Sequence, residues 1–468
     1  MGRQKELIFN TIIIGIGKFS TQIVSVFLLP IYTSILSTEE YGTYDLLYTI
    51  SMFLIPMITL LMEESMFRFL IDSKNKEENS KIISQTLIFA VISTSIWIAI
   101  ISVVCKIFKI QYGIIFCFYI ISSIIVSLRN AIVRGKGNIK AYTIINFITS
   151  LSIIILNILF IVTFKIGIAG LFLSSIISNV IISFIAFKKL RILEGASVRM
   201  YDKKLMKEMV KYSIPLVPNS ISWSFINFSD RIIVSSVLGT AENGVYSMAN
   251  KFPTYIDNIY NFFYTAWKEA SAKALHYDEP EKFYNQIYNS LRRMLDAIVL
   301  GSIAVLPFIF SFFIKKDFSV AYIYVPVLIV ATYFSNLSSF IGGIFTAYKD
   351  TKIIGKTTII AATINLVVNL LCIKFIGLWA AAVSTLIAMI INYNLRAKKI
   401  RKYIKLVCEY KIILSVLFLV IDLFAFYYNK TAINIINFII ILIYCIYLNQ
   451  NTIQEIFKEI RKKVSKNK

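Results

Sequence analysis

Hydrophobic residues recur along the chain in long uninterrupted blocks, and short polar segments separate them. A helix needs about 20 apolar residues to cross a hydrocarbon core about 30 Å thick, and most blocks are close to that length. Because the blocks are continuous rather than alternating, the pattern favours helices over the strands of a membrane barrel. We predict an all-α polytopic membrane protein with fourteen spans at 7–32, 44–62, 83–104, 112–128, 143–163, 168–187, 213–238, 244–266, 294–313, 322–345, 357–373, 378–395, 412–428 and 433–448.

Composition supports a membrane protein. Of the 468 residues 57% are hydrophobic and 16% are charged, whereas about 25% of a soluble protein is charged. The polar stretch from Met1 to Glu6 resembles the start of a signal peptide, but the apolar run from Leu7 is too long for a cleaved signal. We therefore assign that run to the first span. An even number of spans leaves both termini on one side of the membrane.

Lys and Arg are concentrated on the side of the termini. That side holds 38 of the 49, with Arg129 and Arg396 at the starts of two inner segments. The positive-inside rule then predicts that both termini are cytoplasmic and that the chain spans the inner (cytoplasmic) membrane. The net charge of +23 thus indicates topology and some attraction to anionic lipids, not nucleic-acid binding. The opposite connections hold seven, namely Lys106, Lys109, Lys165, Lys315, Lys316, Lys374 and Lys430.

Two stretches suggest an internal repeat. Residues 36–44 (LSTEEYGTY) align without gaps, at an offset of 202, with residues 238–246 (LGTAENGVY), and five of nine positions are identical. A weaker echo, at an offset of 210, relates 166–174 to 376–384. Six spans per half give both halves the same orientation, as in transporters whose parallel repeats are related by a pseudo-two-fold axis along the membrane normal.

This repeat divides the chain into five parts. Two six-helix lobes with a substrate site between them are typical of an alternating-access transporter. The predicted parts are an N-lobe at 1–187, a cytoplasmic inter-lobe loop at 188–211, a C-lobe at 212–395, two appended helices at 396–448 and a basic cytoplasmic tail at 449–468.

The chain resembles a known transporter family. The resemblance rests on the fourteen-span layout, on Pro30-Ile-Tyr32 and Glu40-Tyr-Gly-Thr-Tyr44, and on Asn227-Phe-Ser-Asp-Arg-Ile-Ile233 followed by Gly244-Val-Tyr246 and Lys251. These features are similar to those of the Wzx-type oligosaccharide flippases of the multidrug/oligosaccharidyl-lipid/polysaccharide exporter (MOP, MATE-like) superfamily. The resemblance implies a flippase, not an enzyme, that moves undecaprenyl-diphosphate-linked sugar repeat units across the membrane for capsule, O-antigen or exopolysaccharide synthesis.

Three cations within the spans are candidates for binding the diphosphate. Lys18 lies about 16 Å along the first span, near the bilayer middle, where a charge needs a cavity or a buried carboxylate. Arg231 offers a bidentate fork for phosphate, with a structural salt bridge as the alternative. Lys251 lies just before Pro253, where we expect a kink. Asn227, in the motif above, completes the predicted cavity residues.

Acidic residues are candidates for ion coupling or gating. Asp230 neighbours Arg231 and points about 100° away from it on a helix. At the inner end of the second span, Glu64 and Arg68 are spaced to pair with each other, which is the alternative to a functional role. The full set of coupling or gating candidates is Asp230, Glu63, Glu64, Arg68 and Asp257.

No feature of the sequence predicts catalysis, a cofactor or a metal site. The five cysteines show no metal-binding spacing, and Gly355-Lys-Thr-Thr358 resembles the end of a phosphate-binding loop but has Asp350 where the first glycine should be. The expected partners are the lipid-linked oligosaccharide, membrane lipids and pathway glycosyltransferases and polymerase; we expect a monomer that binds no nucleic acid.

Two other functions remain open. A multidrug/cation antiporter of the same superfamily would usually need acidic cavity residues, whereas Lys and Arg are in excess here. A membrane-embedded glycosyltransferase or polymerase would need large outer loops or clustered carboxylates, and the outer connections here are mostly short.

Overall fold

The computed structural model describes residues 28–466, except for the side chains at 219, 222, 223, 226, 227, 410–413, 451–453 and 455–466. This part is predominantly helical and contains no strand, so the predicted all-α class is confirmed. In chain order the helices are α1 (Thr38–Thr59), α2 (Met62–Asp72), α3 (Lys76–Ile107), α4 (Gly113–Gly135), α5 (Ile139–Asn157), α6 (Ile168–Lys189), α7 (Lys203–Ser213), α8 (Val217–Val237), α9 (Thr240–Ala249), α10 (Lys251–Ala274), α11 (Pro280–Phe313), α12 (Val325–Ala347), α13 (Thr351–Ile376), α14 (Leu378–Ile400), α15 (Tyr410–Tyr428) and α16 (Thr431–Lys466).

The helices have the length and surface of membrane spans. Nine helices within residues 28–466 are long and apolar enough to cross a membrane, and the pair α1–α2, bent by 54°, would be a tenth. Large apolar side chains remain exposed on these helices, for example Phe375 (86%) and Phe184 (68%). Exposed apolar surface on this scale requires a lipid solvent. The chain is therefore a multi-pass membrane protein.

The structure forms two compact units, residues 1–244 and 245–468. In the first, α6 packs against α4 and α5, around a core that includes Phe172 and Ile120. In the second, α14 packs against α12 and α13. There Trp267 of α10 stacks on Phe340 at 4.2 Å and donates to its carbonyl oxygen at 2.9 Å. The predicted spans 4, 5 and 6 thus have the same mutual contacts as spans 10, 11 and 12.

Several helices differ from the predicted spans, and three show why. Span 8 divides into α9 and α10 around Asn250 because Pro253 has no N–H to donate to the carbonyl of Ala249 and its ring crowds that carbonyl. Span 2 bends where Leu60 and Leu61 adopt the left-handed conformation (φ 46° and 53°). The helix of span 14 continues to Lys466, since hydropathy marks only the part of a helix within the hydrocarbon.

Candidate functional site

Helix α1 crosses the start of α9 in the first unit at two glycines. A Cβ on Gly42 would overlap the carbonyl oxygen of Thr240, and a Cβ on Gly244 would overlap that of Thr38. The side chain of Asn243 donates to the carbonyl oxygen of Gly42 at 2.8 Å. Each helix presents a Thr-x-x-x-Gly stretch, and small residues at this spacing let membrane helices approach closely.

The crossing joins the two stretches that the sequence relates by an offset of 202. Thr38 and Thr240 are equivalent positions, and so are Gly42 and Gly244. Each threonine carbonyl faces the glycine of the other stretch, so the contact is itself nearly two-fold symmetric. Such a contact is expected where a pseudo-two-fold axis passes between the repeats.

A buried ion pair lies next to this crossing. Arg231 of α8 donates from Nε to Oδ2 of Asp45 in α1 at 3.0 Å, with 11% and 9% of the two side chains exposed. Both residues lie about 10 Å from the nearer ends of their helices, at a rise of 1.5 Å per residue. Further along the helices, Phe53 stacks on Phe228 with the ring centres 4.2 Å apart. Ion pair and ring stack together hold α8 against α1.

The ion pair explains how Arg231 is accommodated at this depth. A nearby carboxylate offsets its charge, as the salt-bridge alternative predicted, although Asp45 is not among the predicted site residues. A signal was present, because Asp45 is the sole charged residue of α1 beyond its first turn. Asp230, the neighbour of Arg231, is also buried, with 2% exposed.

The structure separates the acidic candidates of α2. Glu63 is buried beside the bend between α1 and α2, where Oε1 accepts from Thr59 at 3.3 Å and Oε2 has no hydrogen-bond partner among the described residues. Glu64 is exposed. The alternative of a Glu64–Arg68 pair is not what the structure shows, since Arg68 pairs instead with Asp72 at 2.6 Å. Both spacings are i,i+4, and Asp72 lies on the helix side that Arg68 reaches in this structure.

The remaining candidates lie on α10 or outside the described residues. Lys251 is the first residue of α10 in the second unit and is half-buried. Asp257 lies on the same helix beside Asn336 of α12. Lys18 and the side chain of Asn227 lie outside the described residues.

Two arginines that are predicted to lie in the inner loops are buried instead. Arg129 and Arg396 were counted with the inner loops, yet they are 0% and 1% exposed within helices. Arg129 of α4 donates to Asn146 and Thr149 of α5 and to Ser183 of α6 at 3.1–3.4 Å. Both arginines lie near the ends of long spans, which is why the sequence pattern suggests loop positions. For Arg129, the neutral side chains of Asn146 and Thr149, spaced i,i+3 on the next span, were a detectable signal.

Arg396 occupies the corresponding junction of the second unit. From α14 it donates to the carbonyl of Ser338 in α12 at 2.9 Å and to the hydroxyls of Thr357 and Thr358 in α13 at 3.0 Å. These threonines belong to the stretch that resembles a phosphate-binding loop, and here they bind a guanidinium group. In each unit, therefore, one arginine joins three mutually packed helices through neutral oxygens.

Comparisons with known proteins agree on the architecture. A family model described as "Polysaccharide biosynthesis protein" matches residues 7–267, and one described as "MatE" matches residues 215–371. No curated protein sequence matches significantly. A structure titled "Lipid II flippase MurJ, inward closed conformation" is 17% identical, with a TM-score of 0.70 over 94% of this chain and 100% of that one. A "multidrug resistance MATE family transporter of the MOP superfamily" in the inward-facing conformation is 15% identical, with a TM-score of 0.67 over 81% and 95%.

Proposed function

Because the chain belongs to the polysaccharide biosynthesis protein family, whose model matches more than half of it, we propose that it is a lipid-linked oligosaccharide flippase. It would move undecaprenyl-diphosphate-linked repeat units across the cytoplasmic membrane, with both termini in the cytoplasm, for the synthesis of a surface polysaccharide. The family match is the observation that carries this proposal. A fold shared with a lipid II flippase over the whole of that chain supports it.

The proposed task is to carry a charged diphosphate and a hydrophilic glycan past hydrocarbon, where an unpaired charge is very costly. Arg231 is our main candidate for phosphate recognition, with Lys18, Lys251 and Asn227 contributing to the same cavity. In the described conformation the guanidinium group of Arg231 is paired with the carboxylate of Asp45. We propose that the diphosphate competes with this carboxylate, because both present oxygens that match the guanidinium fork.

We propose that the two repeats move relative to each other and so give alternating access. Lobes 7–187 and 213–395 are related by an axis through the Gly42–Gly244 crossing, and spans 13 and 14 lie outside the repeat. The crossing lies at the outer ends of the predicted spans, so its close packing would shut the outer side while the substrate enters from the cytoplasm. Displacement of Asp45 from Arg231 would loosen α8 from α1 and favour the opposite state.

An ion gradient or the membrane potential would drive net transport, since the sequence carries no nucleotide-binding motif. Glu63 is the preferred coupling residue because it is buried with one oxygen unpaired beside a helix bend. Asp257 and Asp230 are further candidates, while Glu64 and Arg68 are exposed. The expected partners are the lipid-linked substrate, membrane lipids and the enzymes of the pathway, with the protein acting as a monomer.

Complementation tests this function. A strain that lacks a lipid-linked oligosaccharide flippase should regain surface polysaccharide when this chain is expressed, and its cytoplasmic-leaflet intermediate should fall. Efflux of a cationic dye in the same cells tests the antiporter alternative, which the MatE match favours. Dye efflux without any change in the lipid-linked intermediate would contradict the flippase.

A further inference from the structure

An apolar groove on the lipid-facing side of α3 has no role in the proposed transport cycle. Its volume is about 440 Å³. One wall is a single face of α3, formed by residues spaced three and four apart, and the other is the segment 196–198. The residues of the helical wall are Ser84, Leu87, Ile88, Val91 and Ile92.

The groove is built into the fold, because hydrogen bonds fix its second wall. The backbone N–H of Ser197 donates to Ser84 Oγ at 3.0 Å. The side chain of Gln85 donates to the Met200 carbonyl at 2.8 Å and accepts from the Asp202 N–H at 3.2 Å. Ser84 and Gln85 are 2% and 0% exposed, so these hydrogen bonds to the segment are shielded from solvent.

The position of the groove identifies a lipid environment. The stretch from Ser84 to Ile92 covers about 12 Å of helix, most of the roughly 15 Å that one leaflet contributes to the hydrocarbon core. The side chains at its mouth are apolar and open, with Val198 76%, Val91 66% and Ile92 57% exposed. At this depth in the membrane, lipid chains are the solvent that such apolar side chains meet.

The charge around the groove selects the head group. Arg199 directly follows Val198 and is exposed, and residues 188–211 carry eight Lys and Arg against three Asp and Glu. Basic segments at the membrane surface attract anionic phospholipids, by about 1 kcal/mol for each residue near the surface. The same segment holds the largest number of Lys and Arg among the predicted cytoplasmic connections.

We propose that this groove is a binding site for one acyl chain of an anionic phospholipid of the cytoplasmic leaflet, with Arg199 at the phosphate. The site is separate from the crossing and from Arg231, so it does not depend on the proposed transport function. A bound phospholipid would link the basic segment 188–211 to the first unit and to the membrane.

Photocrosslinking tests the site directly. Purified protein in mild detergent is mixed with phosphatidylglycerol that carries a diazirine in its acyl chain, and the crosslinked peptides are mapped. We expect crosslinks within 84–92 and 194–200. Ala196→Trp, which fills the groove, should lower them at least fivefold, whereas Ile100→Trp, at an exposed position of the same helix outside the groove, should leave them unchanged.

Competition assigns the head group. Unlabelled phosphatidylglycerol should suppress the crosslinks more strongly than phosphatidylcholine, and Arg199→Gln should remove that difference. The proposal is overturned if wild-type protein gives no crosslinks in the two segments, if Ala196→Trp keeps them while eluting as a folded monomer, or if a copurified protein covers the groove. The wild-type map decides the matter even if Ala196→Trp fails to fold.

Discussion

Arg231 and Asp45 hold opposite charges in contact, largely out of reach of solvent. Removing one member of such a pair leaves the other charge buried and uncompensated, which costs about 3–5 kcal/mol. Removing both leaves two neutral groups and costs much less. The net contribution of the ion pair to stability is therefore small. It holds α1 against α8 because separating the two charges is costly.

This asymmetry predicts a pattern among variants. Asp45→Asn should lower the thermal midpoint of the detergent-solubilised protein clearly, and adding Arg231→Gln should restore most of the loss. The double variant with exchanged charges, Asp45→Arg with Arg231→Asp, would recover the thermal midpoint only if the arginine on α1 can reach the carboxylate on α8. Equal midpoints for Asp45→Asn and wild type would show that the pair does not stabilise the protein.

Phosphate recognition by Arg231 makes a separate prediction about activity. Arg231→Lys keeps the charge but loses the bidentate fork, and Arg231→Ala loses both. Complementation, compared at matched membrane abundance, should fall from wild type through Lys to Ala. Full activity of Arg231→Ala at normal abundance would remove it from the site, and loss of protein in both variants would indicate a purely structural pair.

Arg396 tests the buried junction of the second unit. Arg396→Ala should destabilise the protein by about 3 kcal/mol or more, because the carbonyl of Ser338 and the hydroxyls of Thr357 and Thr358 lose a charged donor. The matched control is Lys398→Ala, an exposed position on the same helix, which should leave the thermal midpoint unchanged. A midpoint for Arg396→Ala that matches the control would contradict a structural role.

At the scale of elements, hydropathy located the helices well and their interruptions poorly. The predicted start of span 6 at residue 168 coincides with α6, because Gly167 and the polar residues before it end the preceding segment sharply. The bend between α1 and α2 lies inside an apolar run, and nothing in the residues Leu60 and Leu61 predicts their left-handed conformation. Long-range pairs were equally hidden, since Asp45 and Arg231 are separated by 186 residues.

The glycine crossing can be tested as an element of the gate. Gly42→Val should force α1 away from α9 and open the outer side, because a side chain there would overlap the Thr240 carbonyl. In a background without the five native cysteines, Asn243→Cys should then react with an impermeant maleimide much faster than without Gly42→Val. Gly301→Val, placed where no atom lies within 4 Å, is the control and should not change the rate. Equal rates in all three backgrounds would contradict the gate.

At the scale of the whole molecule, the repeat links sequence to mechanism. The sequence alone relates residues 36–44 to residues 238–246 at an offset of 202. In the structure these two stretches contact each other at Gly42 and Gly244. Parallel packing of α4, α5 and α6 and of α12, α13 and α14 extends the likeness to the rest of each half. The buried arginines break the symmetry, as Arg129 comes from α4 and Arg396 from α14, so similar junctions arose from different helices.

The structure changes how the predicted topology should be tested. Removing the buried Arg129 and Arg396 from the census leaves a large excess of Lys and Arg on the side of the termini, so residues 188–211 should be cytoplasmic. Gly195 would be a poor labelling position, because it has φ +80° and its Cβ would lie 2.6 Å from Ser80 Oγ. Lys204→Cys is exposed on α7 and should react with an impermeant maleimide only after the cells are permeabilised. Lys430→Cys, in the exposed connection between α15 and α16, should react in intact cells and serves as the control; the reverse pattern would invert the whole molecule in the membrane.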